Sequence, residues 1–177
     1  MSEKKAVLNG MAIHRMLSRI AHEILEQNTD SKEIVLVGIQ RGGVQLAGRL
    51  ALLLQSICGH PVLVGHVDIC MHRDDLDQQL PPPVHPTLIP FDITGKTVIL
   101  VDDVLYSGRT TRAALDALND FGRPRRIQLA VLVDRGYREL PIKADFVGKR
   151  VETNPGERVS VHLKEEGGDD VVFVETA

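Results

Sequence analysis

The chain has 177 residues, of which 43% are hydrophobic and 25% charged, and its formal net charge is −3. This length suits one domain with a sizeable core, and the negative charge excludes a surface that attracts nucleic acid everywhere, so RNA contact would need a local basic patch. Two cysteines outside any C-x-x-C pair favour a reducing, cytoplasmic compartment, and the apolar runs are too short for membrane insertion.

Predicted helices and strands alternate along the first half of the chain. Apolar residues at helical spacing predict a first helix over 11–27. The apolar run 34–39 predicts a buried strand, a Gln-Arg-Gly-Gly turn follows, and 44–57 is typical of a second helix. Residues 61–69 predict another strand, whereas the polar, proline-rich stretch 71–90 predicts a long, flexible exposed loop.

The second half continues this alternation. Residues 97–101 and 126–134 predict two more buried strands, with a helix over 109–122 between them. Strands without polar alternation, separated by helices, are typical of a parallel sheet covered on both faces. The segments after about residue 135 are short and strand-like. We expect them to form, with the N-terminus, a hood and tail on a single α/β domain spanning 1–177.

The stretch VILVDDVLYSGRTT, at 98–111, is the most informative. Ligands of parallel sheets bind beyond the carboxyl ends of the strands, where Asp102 and Asp103 stand. The following helix start, with Gly108 and several hydroxyls, suits a phosphate. The carboxylates would repel phosphate and instead suit sugar hydroxyls or Mg²⁺. These features predict a phosphorylated sugar as ligand, and an ordinary capped turn is the structural alternative.

Residues 98–110 resemble the thirteen-residue phosphoribosyl pyrophosphate (PRPP) signature of type I phosphoribosyltransferases. Other segments, in matching order over nearly the whole chain, resemble the PyrR family of pyrimidine operon regulators: LSRIAHEILE (17–26), HRDDL (72–76) and GRPRRIQLAVLVDRGYRELPIKADFVGK (122–149). The resemblance implies the type I phosphoribosyltransferase fold, a central parallel sheet flanked by helices, with a hood subdomain and a flexible active-site loop. It also implies a homodimer or larger homo-oligomer.

Two activities follow from the resemblance. One is a Mg²⁺-dependent uracil phosphoribosyltransferase, which converts uracil and PRPP to UMP and pyrophosphate. The other is binding of a pyrimidine operon mRNA leader in response to UMP or UTP. A 6-oxopurine phosphoribosyltransferase and a regulator with vestigial enzyme activity are the alternatives.

The resemblance assigns catalytic roles to Asp102 and Asp103, which would hold the ribose hydroxyls, and to Arg73 on the loop. No residue is assigned as a dedicated metal ligand. The substrate-binding residues that it implies are Arg41, Gly42, Gly43, Val104, Leu105, Tyr106, Ser107, Gly108, Arg109, Thr110, Asp134, Arg135, Phe146 and Val147. The glycine turn is equally consistent with a simple tight turn. HRDDL is also consistent with a solvated loop, and Phe146 with a place in the core.

Tyr106 separates the two enzymatic alternatives. By resemblance, phosphoribosyltransferases for 6-oxopurines commonly carry Asp at this position, where it acts on the purine ring as a base. Its absence leaves no obvious general base in the motif, which fits uracil because the N1–H of uracil is comparatively acidic. We therefore expect Tyr106 to form a wall or a hydroxyl contact of the base site.

The expected RNA surface combines one face of the first helix with the segment that follows residue 135. A basic face can hold phosphates and single-stranded bases, and a solvated charged face is the alternative. The residues assigned to it are Arg15, Ser18, Arg19, His22, Arg138, Lys143 and Lys149.

Overall fold

A computed structural model describes residues 4–72 and 85–176 of the chain. In chain order the elements are β1 (Lys4–Asn9), α1 (Gly10–Gln27), β2 (Ile34–Ile39), α2 (Gly42–Cys58), β3 (Leu63–Val67), β4 (Thr97–Leu105), α3 (Arg109–Leu118), β5 (Arg126–Asp134), β6 (Phe146–Arg150), β7 (Glu157–His162) and β8 (Val171–Thr176). Within these described ranges, no helix combines the length and the apolar character needed to cross a bilayer.

The main sheet has five parallel strands in the order β3-β2-β4-β5-β6. One hydrophobic cluster joins one face of the sheet to α1 and α2, and a second joins the opposite face to α3. All six residues of β2 are buried, which explains why its sequence shows no polar alternation. The predicted parallel sheet with helices on both faces is confirmed.

β4 is longer than the predicted strand 97–101. It continues to Leu105 because Val104 and Leu105 still pair with Val133 and Asp134 of β5, beyond the last partner that β2 offers. Conversely, α3 ends at Leu118, before the predicted boundary at 122, because the next N–H groups bond three residues back, as in a tight turn. Asp102 and Asp103 therefore lie within a strand, not after it.

The N-terminal strand and the tail form a second sheet, antiparallel, in the order β1-β8-β7. Glu175 of the central strand joins all three: it contacts Lys4 at 3.2 Å, Arg158 at 2.8 Å and Ser160 at 2.5 Å. The bonds from Ser160 and then Lys4 lower the pKa of Glu175 to about 2. β6, which the sequence groups with this tail, belongs instead to the main sheet beside β5.

Arg49 of α2 fastens the tail to the helical layer. Its guanidinium donates to Glu165 at 2.8 and 2.6 Å and to Asp170 at 2.9 and 2.7 Å. Leu163 and Val172 extend the α1–α2 hydrophobic cluster from the same region. The small sheet is thus held by both ion pairs and apolar packing.

The strand order reverses between β2 and β4. β2 connects through α2 to β3 on one side, and β4 connects through α3 to β5 on the other. A crevice at such a switch point, outside the carboxyl ends of the strands, is where open α/β sheets bind ligands. The strand before the Gln-Arg-Gly-Gly turn (β2) and the strand that carries the paired aspartates (β4) both end at this switch point.

Candidate active site

A cleft of about 370 Å³ opens at this switch point. The turn after β2, the ends of β3 and β4, and the start of α3 all contribute to it. The described residues that line the cleft are Gln40, Arg41, Gly42, Asp68, Ile69, Cys70, His85, Asp102, Asp103, Val104 and Thr110. It therefore brings together the turn and the paired carboxylates that the sequence analysis assigned to substrate binding.

The glycines of the turn are required by close packing. A Cβ atom on Gly42 would overlap the carboxylate of Asp103, and one on Gly43 would overlap the carbonyl oxygen of Val101. The preceding Gln40–Arg41 peptide bond is cis. Because the turn lies directly against β4, its backbone and Arg41 face the same space as the two aspartates, an arrangement suited to an anion beside a sugar.

The two aspartates differ in environment. Asp102 is buried, with only 6% of its surface exposed, whereas Asp103 is half-buried. Burial raises the pKa of Asp102 well above its ordinary value, and the neighbouring Asp103 carboxylate raises it further. The Asp103 N–H donates to the Asp102 carboxylate at 2.9 Å, and the Val104 N–H donates to that of Asp103 at 2.7 Å. The backbone thus fixes both carboxylates.

The start of α3 is where the sequence analysis predicts a phosphate cradle. Gly108 has a φ of +94°, and the Arg109 N–H donates to the Ser107 hydroxyl at 3.3 Å. The first N–H groups of a helix have no intrahelical acceptor, and the helix dipole is positive there. Thr110 lines the cleft from this turn. Among the residues that the structure describes, the buried hydroxyl of Thr111 has no hydrogen-bond partner.

The segment after β5 braces this loop. Ser107 O accepts the N–H groups of Glu139 at 2.9 Å and Leu140 at 3.1 Å. Arg138 donates to Tyr106 O at 2.9 Å, to Ile142 O at 2.8 Å and to Asp134 at 2.7 Å. Arg138, assigned to RNA from sequence, thus uses its half-buried guanidinium to hold the loop between β4 and α3.

Tyr106 and Arg135 meet on the side of the loop that faces β7. The guanidinium of Arg135 lies 4.2 Å from the Tyr106 ring centroid and 5.8 Å from that of Tyr137, and it donates to Glu157 O at 2.9 Å. The neighbouring Asp134 is partly buried, which raises its pKa, but the hydrogen bonds from Arg138 and Gly136 outweigh burial. The net effect is a lowered pKa of Asp134. Leu105, also assigned to substrate, is buried, and its carbonyl accepts the Arg135 N–H at 3.0 Å.

Phe146 does not occupy a base-stacking position. Its side chain is 1% exposed and packs in the α1–α2 cluster, because side chains on β6 alternate between the two faces. Val147 points to the opposite cluster. Its carbonyl accepts from Arg19, so that group is engaged within the chain.

The residues assigned to RNA are distributed over α1, β6 and the segment that follows β5. Arg15 and His22 are exposed on α1, and Lys149 is exposed on β6. Arg19 joins the two elements: it donates to Val147 O at 3.2 Å and to Gly148 O at 2.5 Å, and pairs with Glu23 at 2.9 Å. Ser18 is half-buried on the same helix, and Lys143 is exposed beside a cavity under α3.

One predicted site residue lies outside the described part of the chain, and two cleft residues were not predicted. Arg73, which the sequence analysis assigned to catalysis, lies outside the described residues. Asp68 and His85 line the cleft without having been predicted. Asp68 ends a predicted strand, so the rule that placed Asp102 could have found it, whereas no local pattern marks His85.

The cleft offers oxygen ligands to a hard cation. Asp102, Asp103 and Asp68 line it, yet no group of three or more metal-binding side chains occurs within the described ranges. Mg²⁺ commonly binds through one or two carboxylates together with substrate phosphates. The donor set therefore fits a cation that arrives with a phosphorylated ligand.

Comparisons with known sequences agree with this geometry. The family model for the phosphoribosyl transferase domain matches residues 3–166. The chain is 58% identical to the bifunctional protein PyrR of Roseiflexus sp. (strain RS-1), covering 97% of this chain and 94% of that protein. It is 51% identical to the bifunctional protein PyrR of Bacillus subtilis (strain 168), covering 98% of each.

Solved structures give the same fold. A hypoxanthine-guanine phosphoribosyltransferase from Bacillus anthracis is similar over 100% of both chains, with a TM-score of 0.73 and 18% identity. A purine phosphoribosyltransferase from Pyrococcus horikoshii is similar over 82% of this chain and 86% of its own, with a TM-score of 0.63 and 23% identity. At these identities the likeness concerns the fold alone.

Proposed function

The chain belongs to the PyrR family of phosphoribosyltransferases, and on that premise we propose that it transfers the phosphoribosyl group of PRPP to uracil. The products are UMP and pyrophosphate. The observation that carries this proposal is the meeting of Asp102 and Asp103 with the glycine turn and the start of α3 in one cleft. In this cleft, carboxylates suited to sugar hydroxyls lie between two backbone segments suited to anions.

Each part of PRPP has a matching part of the cleft. The Asp102 and Asp103 carboxylates accept hydrogen bonds from the ribose 2- and 3-hydroxyls. The turn that starts α3 binds the 5-phosphate through Ser107, Thr110 and backbone N–H groups. Arg41 and the backbone of Gly42 bind the pyrophosphate.

The reaction replaces one bond at the anomeric carbon. The bond from this carbon to the pyrophosphate oxygen breaks, the bond to uracil N1 forms, and the N1 proton leaves to solvent. Positive charge develops on the ribose ring, and the adjacent Asp102–Asp103 pair, which carries negative charge, stabilises it. Asp102 and Asp103 would hold Mg²⁺, which would supply charge neutralisation at the leaving group.

The pair Tyr106 and Arg135 supports a pyrimidine as acceptor. Tyr106 brings no carboxylate to the base, and its phenol ring is occupied by the guanidinium at 4.2 Å. The guanidinium is a donor only, so it matches the two carbonyl oxygens of uracil. The base site that we propose is therefore bounded by Tyr106 and Arg135 and does not use Phe146.

Formation of UMP from uracil and PRPP tests the enzymatic proposal. We expect turnover with Mg²⁺, none with excess EDTA, and a loss in Asp103→Asn. Asp92→Asn is the matched control, because Asp92 is exposed, lies outside the cleft lining and accepts local hydrogen bonds from Thr94, that from the Thr94 N–H at 2.8 Å. Turnover that survives EDTA and Asp103→Asn would contradict the assigned cleft.

We also propose that the protein binds a pyrimidine operon mRNA leader, controlled by UMP or UTP. Its relatives are named bifunctional, and the exposed cations on α1 and β6 suit a phosphate backbone. Filter binding of such a leader with and without UMP tests this. Binding that ignores the nucleotide would contradict the regulatory part.

We propose further that the protein acts in the cytoplasm as a homodimer or larger homo-oligomer. Large apolar side chains are exposed near the β3 edge and on α2, with Leu52 70% and Leu63 52% exposed. Such side chains favour association when they lie in one patch. Light scattering on the purified protein tests this, and a monomer at all concentrations would contradict it.

A further inference from the structure

The end of β3 contributes the carboxylate of Asp68 to the cleft, and no part of PRPP is assigned to this group. Asp68 accepts the N–H of Cys70 at 2.8 Å with one oxygen and the N–H of His85 with the other. Its own N–H donates to the Thr87 hydroxyl at 2.9 Å. A single residue thus joins the chain that leaves β3 to the chain that returns 17 residues later.

Both ends that Asp68 joins are part of the cleft wall. Cys70 and His85 line the cleft together with Asp102 and Asp103. Farther from the cleft, the returning chain is held by paired backbone bonds of 2.9 Å between His66 and Leu88. That bridge fixes the chain at the side of β3, whereas the Asp68 carboxylate fixes it at the cleft itself.

The ionised form of Asp68 is needed for this contact. Burial opposes ionisation, but the bonds from Cys70 and His85 outweigh it and hold the pKa of Asp68 below its ordinary value. A carboxylate accepts with both oxygens, whereas an amide accepts with one and turns an NH₂ group toward the other N–H. Asparagine therefore cannot reproduce the two contacts.

We propose that Asp68 is a positioning residue for PRPP, which fixes Cys70 and His85 in the wall of the cleft that Asp102 and Asp103 also line. The inference rests on the proposed PRPP site. Because both oxygens of Asp68 are engaged by backbone N–H groups, it acts through the wall and not by binding the sugar. Charge-assisted bonds to N–H groups are short and strong, so their loss releases both ends at once.

The test compares Asp68→Asn and Asp68→Ala with wild type in the full chain. Asp92→Asn is the control, because it removes another carboxylate that accepts a local backbone N–H, at an exposed position outside the cleft lining. Calorimetric titration measures the Kd of Mg-PRPP, hydrogen exchange with mass spectrometry follows peptides around Cys70 and His85, and thermal unfolding gives the Tm.

For both Asp68 variants we expect a Kd for PRPP about 10-fold higher, because Cys70 and His85 are no longer fixed in the cleft wall. Exchange should be faster around Cys70 and His85, and Tm should stay near the wild-type value. Wild-type affinity, or faster exchange across the whole sheet with a lower Tm, would overturn the positioning role. A wild-type protein that does not bind Mg-PRPP would overturn the proposed function, while the exchange measurement would still decide whether Asp68 holds the wall.

Discussion

The backbone of Gly42 lies directly against the carboxylate of Asp103, without room for a side chain between them. The contact joins the turn after β2 to the end of β4 at the point where strand order reverses. Any side chain at this glycine would displace the carboxylate or the turn. The two halves of the proposed PRPP site are therefore built against each other.

Gly42→Ala should consequently damage the site. Overpacking of this kind costs about 1–3 kcal/mol, and we expect kcat/KM for PRPP to fall at least about 10-fold, equal to about 1.4 kcal/mol. Gly48→Ala on the same helix is the control, because a Cβ there meets nothing within 4 Å. That control should keep full activity and gain up to about 1 kcal/mol in stability. Steady-state kinetics and urea unfolding measure both, and equal activity of the two variants would contradict the packing argument.

Asp102→Asn should stabilise the fold and impair the reaction. A carboxyl whose pKa is raised in the folded state contributes stability that is present at low pH and is lost as pH rises through the folded pKa. The variant removes this loss, so its Tm should exceed that of wild type by a margin that grows with pH.

The same variant replaces one carboxyl oxygen at the ribose site with an amide NH₂ group. A buried polar group left without its partner costs about 1–3 kcal/mol, so kcat/KM for PRPP should fall roughly 10- to 100-fold. Thermal unfolding from pH 4 to 8 and steady-state kinetics test the two parts. A variant that is less stable than wild type at high pH would show that burial does not raise the pKa of the Asp102 carboxyl.

Arg49→Ala should loosen the small sheet, because it leaves Glu165 and Asp170 without their shared partner. We expect a loss of about 1–3 kcal/mol, at the level of hydrogen bonds to charged groups that are partly exposed. The bonds from Arg49 lower the pKa of both carboxylates, so the stability they contribute is lost as pH falls through their folded pKa values.

Urea unfolding at pH 7 and at pH 3 checks this pH dependence. The difference between wild type and Arg49→Ala should be large at pH 7 and smaller at pH 3, because the stability from these carboxylates is lost as pH falls. A difference that is the same at both pH values would mean that the ion pairs do not hold the tail.

Arg15 and Arg19 share a face of α1 but should respond differently to substitution. Arg15 is exposed, so Arg15→Ala should weaken RNA binding, lower the salt slope by about 1 and leave the Tm unchanged. Arg19 holds carbonyls of β6, so Arg19→Ala should cost about 1 kcal/mol of stability. Filter binding over a salt series and thermal unfolding separate the two, and unchanged RNA binding in Arg15→Ala would remove α1 from the RNA surface.

The fold could be predicted because its signals are local. Apolar runs of strand length mark buried strands, and the signature at 98–110 includes the end of β4 and the start of α3. The expected hood was partly wrong for β6, since strands at the edge of a parallel sheet and strands of a small antiparallel sheet are equally short. β1 was missed because its sequence begins with two lysines, which are exposed in the structure.

The role of individual site residues depends on contacts that sequence does not encode locally. The short run at β6 does not show which face Phe146 takes, and packing decides that it joins the core. Arg19 and Arg138 look like surface cations, but each finds backbone carbonyls in a distant or folded-back segment. His85 reaches the cleft only because the chain returns to Asp68.

A panel of nucleobases tests most directly whether the cleft transfers phosphoribose to a pyrimidine. Uracil, hypoxanthine and guanine are each incubated with PRPP and Mg²⁺, and nucleotide products are quantified with initial rates. We predict UMP from uracil and no appreciable IMP or GMP. Faster formation of IMP or GMP than of UMP would contradict the assignment and identify a purine enzyme.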